Sequence, residues 1–144
     1  MKKVIIVGAS GHAKVAADIA LSSGYELVGY LEKEFEKGKS LLGVPVLGGD
    51  SDLDIYINEI SDLYLFIAIG DNFFREQVWG KIAELNFPLN KMITLIHPSA
   101  VVSSSGVIGY GNLIGANAVV GPDSKIGDFC ILNTNASIDH DCCM

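Results

Sequence analysis

Apolar positions along residues 1–92 follow two alternating periods. Residues 3–7 form a β-branched run typical of a buried parallel strand, and residues 12–23 carry apolar side chains at helical spacing. We expect Val15 and Ile19, together with Ala16 and Ala20, on the inner face of this helix and Gly24 at its end. Further strands are predicted at 27–31, 63–69 and 92–96, and an edge segment at 43–47. Two more helices are predicted: the first is capped by Asp50 and reaches about Ile60, and the second reaches about Leu85. This alternation predicts an α/β fold with a parallel sheet covered by helices.

The residues after Met92 repeat every six positions. One register is apolar at eight consecutive places: Ile96, Val102, Ile108, Ile114, Val120, Ile126, Leu132 and Ile138. The residue four places later is always small, and glycine directly follows four of the apolar residues: Gly109, Gly115, Gly121 and Gly127. This strict period is typical of a hexapeptide β-helix, whereas an antiparallel meander would alternate with a period of two. We expect the branched residues to stack inwards and the glycines to allow unusual backbone angles.

Charge divides the chain at the same point. Residues 1–92 hold 9 basic and 13 acidic side chains, whereas residues 93–144 hold one lysine and four aspartates. We therefore predict two domains, residues 1–92 and residues 93–144.

Composition excludes several functional classes. The 144 residues have a formal net charge of −7 and no basic run, so nucleic acid is a poor partner. No apolar stretch is long enough for a membrane span or for the core of an export signal, so the expected location is the cytoplasm. The three cysteines lack the spacing of a disulfide framework or a zinc site, and no metal is expected.

Four segments spread over nearly the whole chain carry a family resemblance: residues 8–14, 66–72, 96–100 and 133–142. In them the chain resembles the sugar O-acyltransferase family related to sialic acid O-acetyltransferases, and especially bacterial UDP-4-amino-sugar N-acetyltransferases of the bacillosamine type. The resemblance implies a Rossmann-like nucleotide-sugar domain followed by a left-handed parallel β-helix. It also implies homotrimers that bind acetyl-CoA between adjacent β-helices and transfer its acetyl group to an amine or hydroxyl of a sugar, such as a UDP-sugar.

The first turn is a candidate anion site. Residues 8–11 follow a strand and open a helix, where backbone N–H groups favour a phosphate. The turn lacks the dinucleotide pattern G-x-G-x-x-G, because Ser10 and Ala13 replace two glycines, which argues against NAD. A tight turn without a ligand is the alternative. In the family, the counterparts of Ser10, Gly11 and His12 line the nucleotide-sugar pocket.

Two further strand ends are candidate binding positions. Glu32 follows the second strand, where an acid can contact a ribose or a base, or lie in a solvated loop. Relatives often have two acids there, and Lys33 reverses the second charge, which leaves the base and sugar open. Gly70 and Asn72 follow the strongest predicted strand, at the edge where open α/β sheets bind ligands, although Asn72 would also suit a helix cap. Arg75, one turn later, would approach a phosphate or be solvated.

His140 is the candidate catalytic base. Acetyl transfer needs a group that takes a proton from the acceptor, and the pKa of histidine suits that role. From spacing alone, a histidine between Asp139 and Asp141 is more often a surface residue. The match to the family pattern Asn-Thr-x-x-x-Ile-Asp-His-Asp-Cys implies that His140 is the base, that Asp141 orients it, and that Asn133 contacts the acceptor.

The repeat covers only 49 residues from Ile96, whereas family members continue through further coils that supply much of the acetyl-CoA site. We therefore expect an incomplete β-helix, cofactor-binding residues outside this sequence, and nucleotide-sugar binding with little acetyl transfer. One alternative is an O-acetyltransferase for free sialic acid or another small hydroxyl compound. Another is a non-enzymatic module that binds nucleotide sugars and trimerises, and a nucleotide-dependent oxidoreductase is more distant.

Overall fold

A computed structural model describes residues 1–144 and begins with alternating strands and helices. These are β1 (Lys3–Val7), α1 (Gly11–Ser22), β2 (Glu26–Leu31), β3 (Ser40–Leu41), β4 (Val44–Gly48), α2 (Leu53–Glu59), β5 (Leu63–Ile67) and α3 (Asn72–Glu84). The sheet has the order β3-β4-β2-β1-β5, in which only the β3–β4 pair is antiparallel. The predicted parallel α/β sheet is confirmed, and its arrangement is Rossmann-like.

Helix α1 packs on one face of this sheet and helices α2 and α3 pack on the other. The prediction that Val15 faces inwards is wrong, because its side chain is exposed. The inner face of α1 consists of Ile19 and small residues: Ala13, Ala16, Ala17 and Ala20. Alanines at these positions let the helix backbone lie close to the sheet.

Three predicted boundaries also differ from the structure. The strand expected at 63–69 ends at Ile67. Asp50 opens a short 3₁₀ turn and does not cap α2, which begins at Leu53. The strand expected at 92–96 divides in two, because Met92 bridges to Leu65 in the α/β sheet, while β6 begins the next layer of strands at Leu95.

The second part consists of two-residue strands separated by corners. They are β6 (Leu95–Ile96), β7 (Val101–Val102), β8 (Val107–Ile108), β9 (Leu113–Ile114), β10 (Val119–Val120), β11 (Lys125–Ile126), β12 (Ile131–Leu132) and β13 (Ser137–Ile138). They form three parallel sheets, which we call face 1 (β6-β9-β12), face 2 (β7-β10-β13) and face 3 (β8-β11). Paired residues such as Ile96 and Ile114 lie one coil apart. Three six-residue units therefore make one coil, and the branched residues face the interior.

The glycines of the repeat have a different role from the predicted one. Gly115 and Gly121 do not have positive φ angles. In each unit the positive φ lies two residues after the position of these glycines, at Gly111, Asn117, Asp123, Phe129, Asn135 and Asp141. A Cβ atom on Gly115 would lie 2.8 Å from the backbone nitrogen of Thr134, and one on Gly121 would lie 2.8 Å from the carbonyl carbon of Asp139. Glycine is required there because the backbone of the next coil passes directly over it.

Buried polar side chains connect neighbouring coils at the corners. Asn112 donates from Nδ2 to the carbonyl of Gly127 at 2.7 Å and accepts from the backbone N–H of Cys130 at 2.6 Å. Ser124 donates to the carbonyl of Asp139 at 2.6 Å. These groups are fully buried and hydrogen-bonded, so they fix the register of the coils without an unsatisfied polar atom.

Face 1 joins the two parts of the chain. Leu95 and Leu113 point outwards from the coil, yet both are fully buried in the same core as helix α1 and Phe66. Ser23, just after α1, also donates its hydroxyl to the carbonyl of Ile96 at 3.2 Å. The β-helix is therefore packed against the α/β part through face 1, which leaves faces 2 and 3 turned away from it.

The close approach at Gly121 predicts a selective loss of stability. Gly121→Ala should lower the free energy of unfolding by about 1–3 kcal/mol, because the new methyl group would overlap backbone atoms of the next coil. Gly127→Ala is the matched control, since its Cβ would lie 3.5 Å from the carbonyl oxygen of Met144, an ordinary contact. Urea denaturation measures both variants, and equal losses would contradict this role of the glycine.

Candidate acceptor-binding site

A cleft of about 720 Å³ lies where the carboxyl edge of the sheet meets the β-helix. The α/β part contributes His12, Gly70, Asn72, Arg75, Glu76 and Trp79, and the β-helix contributes Phe129, Cys130, Ile131, Asn133 and Met144. The α/β part supplies most of the polar groups and both charged ones, Arg75 and Glu76, while Trp79 joins Phe129, Ile131 and Met144 in an apolar wall. A ligand with a charged part and an apolar part suits such a cleft.

The turn between β1 and α1 forms one side of the cleft. Gly8 has a φ of 119°, and a Cβ atom there would lie 2.6 Å from the carbonyl oxygen of Ala68, so glycine allows the turn to pass close to the end of β5. Ser10 precedes α1 in an extended conformation, and its side chain makes no capping hydrogen bond. With no acidic residue in its first turn either, α1 offers its first N–H groups to an anion.

The turn after β5 is fixed by Asp71 and not by Asn72. Asp71 caps α3 by accepting a hydrogen bond from the backbone N–H of Phe74 at 3.1 Å. Asn72 is therefore not the cap, and its side-chain oxygen accepts from Arg75 at 2.5 Å. This arrangement leaves the amide group of Asn72 at the wall of the cleft.

Arg75 is buried and holds the two parts of the chain together. Its Nη1 donates to the carbonyls of Ile69 at 2.9 Å and Gly70 at 3.1 Å, and its Nε donates to the carbonyl of Phe129 at 3.1 Å. No carboxylate lies within ion-pair distance of its guanidinium. The solvated alternative is wrong, because Arg75 is buried and most of its donors are used within the chain, while an approach to a phosphate stays a prediction. The positive charge of Arg75 has no ion-pair partner, and the nearest acid in the lining of the cleft is its chain neighbour Glu76.

Phe129 occupies a strained position at the β-helix corner. Its φ is 57°, and the other units with a positive φ at this position have glycine, asparagine or aspartate there. Its ring packs against Trp79 with centroids 5.2 Å apart and lies over Gly111, where a Cβ would approach a ring carbon to 2.5 Å. Backbone strain of this kind concentrates at functional sites, and here the hydrogen bond from Arg75 and the packing of the ring against Trp79 maintain it.

His12 presents an unused hydrogen-bonding group. Its Nε2 is buried and has no partner. Burial lowers the pKa of His12, and the positive charge of Arg75 lowers it further. The ring is therefore neutral at pH 7 and can offer a ligand either a donor or an acceptor, according to its tautomer.

The structure brings together only part of the predicted site. His12, Gly70, Asn72 and Asn133 line the same cleft, and Ser10 and Gly11 directly precede His12. The carboxylate of Glu32 instead accepts hydrogen bonds from Lys39 Nζ at 2.9 and 3.0 Å. Lys33 lines a second, separate cavity.

His140 and Asp141 lie at a different place from the cleft. Nδ1 of His140 is 2.8 Å from Oδ2 of Asp141, and their side chains are 77% and 70% exposed. They follow β13 at the corner between faces 2 and 3, whereas the cleft adjoins face 1. In one chain, the predicted base is therefore on the far side of the coil from the predicted acceptor residues.

Sequence reasoning missed the aromatic wall of the cleft. The sequence did contain a signal for Phe129, because the residues at the equivalent position of the other six-residue units are small or polar. Trp79 and Met144 gave no comparable signal, because their role depends on contacts between distant parts of the chain.

Two class-defining features are absent from the structure. No group of three or more histidine, cysteine, aspartate or glutamate side chains is arranged to hold a metal ion. None of the three helices has the length and apolar character needed to span a bilayer.

Comparison with known families identifies the first part of the chain. Residues 3–82 match the family described as the PglD N-terminal domain. The chain belongs to this family. Over 120 residues it is 39% identical to UDP-N-acetylbacillosamine N-acetyltransferase of Bacillus subtilis. The matched region covers 81% of this chain and 52% of that protein. The resemblance to bacillosamine-type acetyltransferases is thus confirmed.

Solved structures of sugar N-acetyltransferases share the fold of nearly the whole chain. A histidine-to-alanine variant of GDP-perosamine N-acetyltransferase from Caulobacter crescentus, in complex with CoA and GDP-perosamine, matches with a TM-score of 0.88 and 37% identity over 99% of this chain. The acetyltransferase domain of PglB from Neisseria gonorrhoeae, in complex with acetyl coenzyme A, matches with a TM-score of 0.79 and 35% identity. The present chain spans 65% of the length of the Caulobacter protein, 66% of the PglB domain and about half of the Bacillus relative.

The environment of His12 predicts its titration. We expect NMR to give His12 a pKa below 6.5, because burial and Arg75 both disfavour the imidazolium. In Arg75→Met the pKa should rise but stay below that value, since burial remains. Arg75→Lys is the control that keeps the positive charge, and it should retain more of the lowering. A wild-type pKa at or above 6.5 would contradict this description of the cleft.

Proposed function

We propose that this chain binds a nucleotide-linked amino sugar and belongs to an acetyltransferase that moves an acetyl group from acetyl-CoA to the sugar amine. Residues 1–92 form the acceptor-binding domain, and residues 93–144 form coils of a left-handed β-helix that carries the base. The observation that carries this proposal is the cleft at the carboxyl edge of the sheet. It lies beside the N-terminus of α1 at His12, and it combines an Arg75 that has no ion-pair partner with an apolar wall. The related transferases named above support the same class of reaction.

The cleft suits the two ends of such a substrate. The diphosphate lies at the N-terminus of α1, where the N–H groups near Ser10 and Gly11 and the charge of Arg75 both favour an anion. The sugar extends towards His12, Asn72 and Asn133, which supply polar contacts. Its less polar side faces the wall that contains Trp79 and Phe129.

The pair of His140 and Asp141 suits general base catalysis. A carboxylate that accepts from Nδ1 fixes the tautomer and leaves Nε2 free to take a proton. The nitrogen of the neutral sugar amine attacks the thioester carbon of acetyl-CoA, and His140 Nε2 takes a proton from that nitrogen as the bond forms. The C–N bond forms, the C–S bond breaks, and the proton passes from His140 to the departing thiolate.

A complete site then needs two copies of the chain. The cleft adjoins face 1, while His140 lies at the opposite corner of the coil, so the base that serves one cleft comes from a neighbouring copy. Faces 2 and 3 carry outward apolar side chains, namely Val101, Val107 and Val119, which suit contact with other copies. We therefore propose a homotrimer with sites shared between subunits.

Binding calorimetry tests the acceptor site directly. UDP- or GDP-linked 4-amino sugar should bind saturably to the 144-residue chain, while NAD and the free amino sugar should not. Asn133→Ala should weaken binding by about tenfold, because it removes one hydrogen-bonding group from the cleft. Asn58→Ala, on the exposed side of α2, is the matched control and should bind as the wild type does. Binding of the free sugar alone would instead favour the acetyltransferase for free acceptors.

The role of His140 predicts a separation of binding from turnover. His140→Asn should reduce any acetyl transfer by about 10²–10⁴ in kcat, the usual value of a general base. The Kd for the nucleotide sugar should change little, since all residues that line the cleft stay in place and asparagine keeps a polar side chain at position 140. Unchanged turnover in a variant of verified mass would contradict the assignment.

A further inference from the structure

A second cavity of about 510 Å³ opens beside the ends of β2 and β4 and shares no residue with the cleft. Its charged lining consists of Lys33 after β2, Asp50 after β4, Asp54 on α2, and Lys81 and Glu84 on α3. Three acids and two lysines leave this lining with a small negative excess. A phosphate is therefore disfavoured as its occupant, whereas an uncharged group rich in N–H donors is favoured.

Asp50 is the unexplained group in this cavity. Its carboxylate makes no hydrogen bond or ion pair within the chain, and its Oδ1 is buried without a partner. Burial raises the pKa of Asp50, opposed by Lys81 and Lys33 and assisted by Glu32. A buried acceptor without a donor costs stability, so its presence points to a donor that the chain itself does not supply.

The position of the cavity fits one part of the proposed substrate, and the inference rests on that proposed function. Strand β4 is the second neighbour of β1 across β2, about 10 Å away in the sheet. That spacing is comparable to the span of a nucleoside. With the diphosphate at the turn after β1 and the ribose beside Glu32, the base reaches the end of β4, next to Asp50 and Lys33.

We propose that this cavity binds the base of the nucleotide sugar and that Asp50 selects guanine. Guanine presents two adjacent donors, N1–H and the N2 amino group, which the two oxygens of one carboxylate can accept together after rotation of the side chain. Lys33 lines the same cavity and would donate to O6 of the same base. Uracil offers one N–H between two carbonyl oxygens, and those oxygens would face the carboxylate with like partial charge.

The test compares nucleotide affinities of the 144-residue chain by calorimetry with GDP, IDP and UDP. IDP lacks only the N2 amino group of guanine, so it removes one of the two proposed hydrogen bonds. We expect GDP to bind at least tenfold more tightly than UDP, and IDP to lie between them. In Asp50→Asn the preference for GDP over IDP and UDP should disappear, and UDP affinity should rise because the carboxylate no longer repels the uracil oxygens.

Asp54→Asn is the matched control, since it removes an acid from the same cavity but should keep the preference for GDP. Asp50→Asn is expected to fold, because it removes a partly buried charge of unfavourable energy; circular dichroism checks this. UDP binding as tight as GDP binding in the wild type would overturn the guanine assignment and leave the proposed function intact. A GDP preference that survives Asp50→Asn would also overturn it, and failure of every nucleotide to bind would contradict both proposals.

Discussion

The hydrogen bonds of Arg75 are the interaction on which the site depends. One buried guanidinium contacts the turn after β5, the side chain of Asn72 and the backbone of Phe129 in the β-helix. Because a guanidinium is planar and its donors have fixed directions, these contacts set the angle between the sheet edge and the coil. Burial lowers the pKa of His12, and the positive charge of the same guanidinium lowers it further. Geometry and electrostatics of the cleft therefore have a common source.

The spacing of apolar residues in the sequence predicted the architecture, because this spacing follows from the local geometry of each helix, strand or coil. The six-residue repeat identified the inward residues of the coils, and the alternation of strands and helices identified the parallel sheet. The errors arose where packing between distant segments decides the outcome. Val15 has helical spacing but faces outwards because alanines fit closer to the sheet, and the repeat glycines are set by the next coil and not by their own φ angles.

The part of the candidate site that lies at the ends of strands could be predicted from the sequence. The turn after β1 and the turn after β5 meet at one edge of a parallel sheet, so His12, Gly70 and Asn72 lie together as expected. Phe129 and Trp79 were missed since their contact joins a helix to a corner of the coil. The separation of His140 from the cleft also follows from coil geometry alone, and it makes association of chains part of the proposed mechanism.

Hydrogen exchange in Arg75→Lys tests the central claim most directly. Lysine keeps the positive charge but cannot hold the two carbonyl groups of the β5 turn and that of Phe129 together. Mass spectrometry should show faster amide exchange at residues 69–72 and at residues 129–133, with the strands β1 and β2 unchanged. Exchange at wild-type rates in both segments would contradict the account, because the cleft would then be held by packing without the guanidinium.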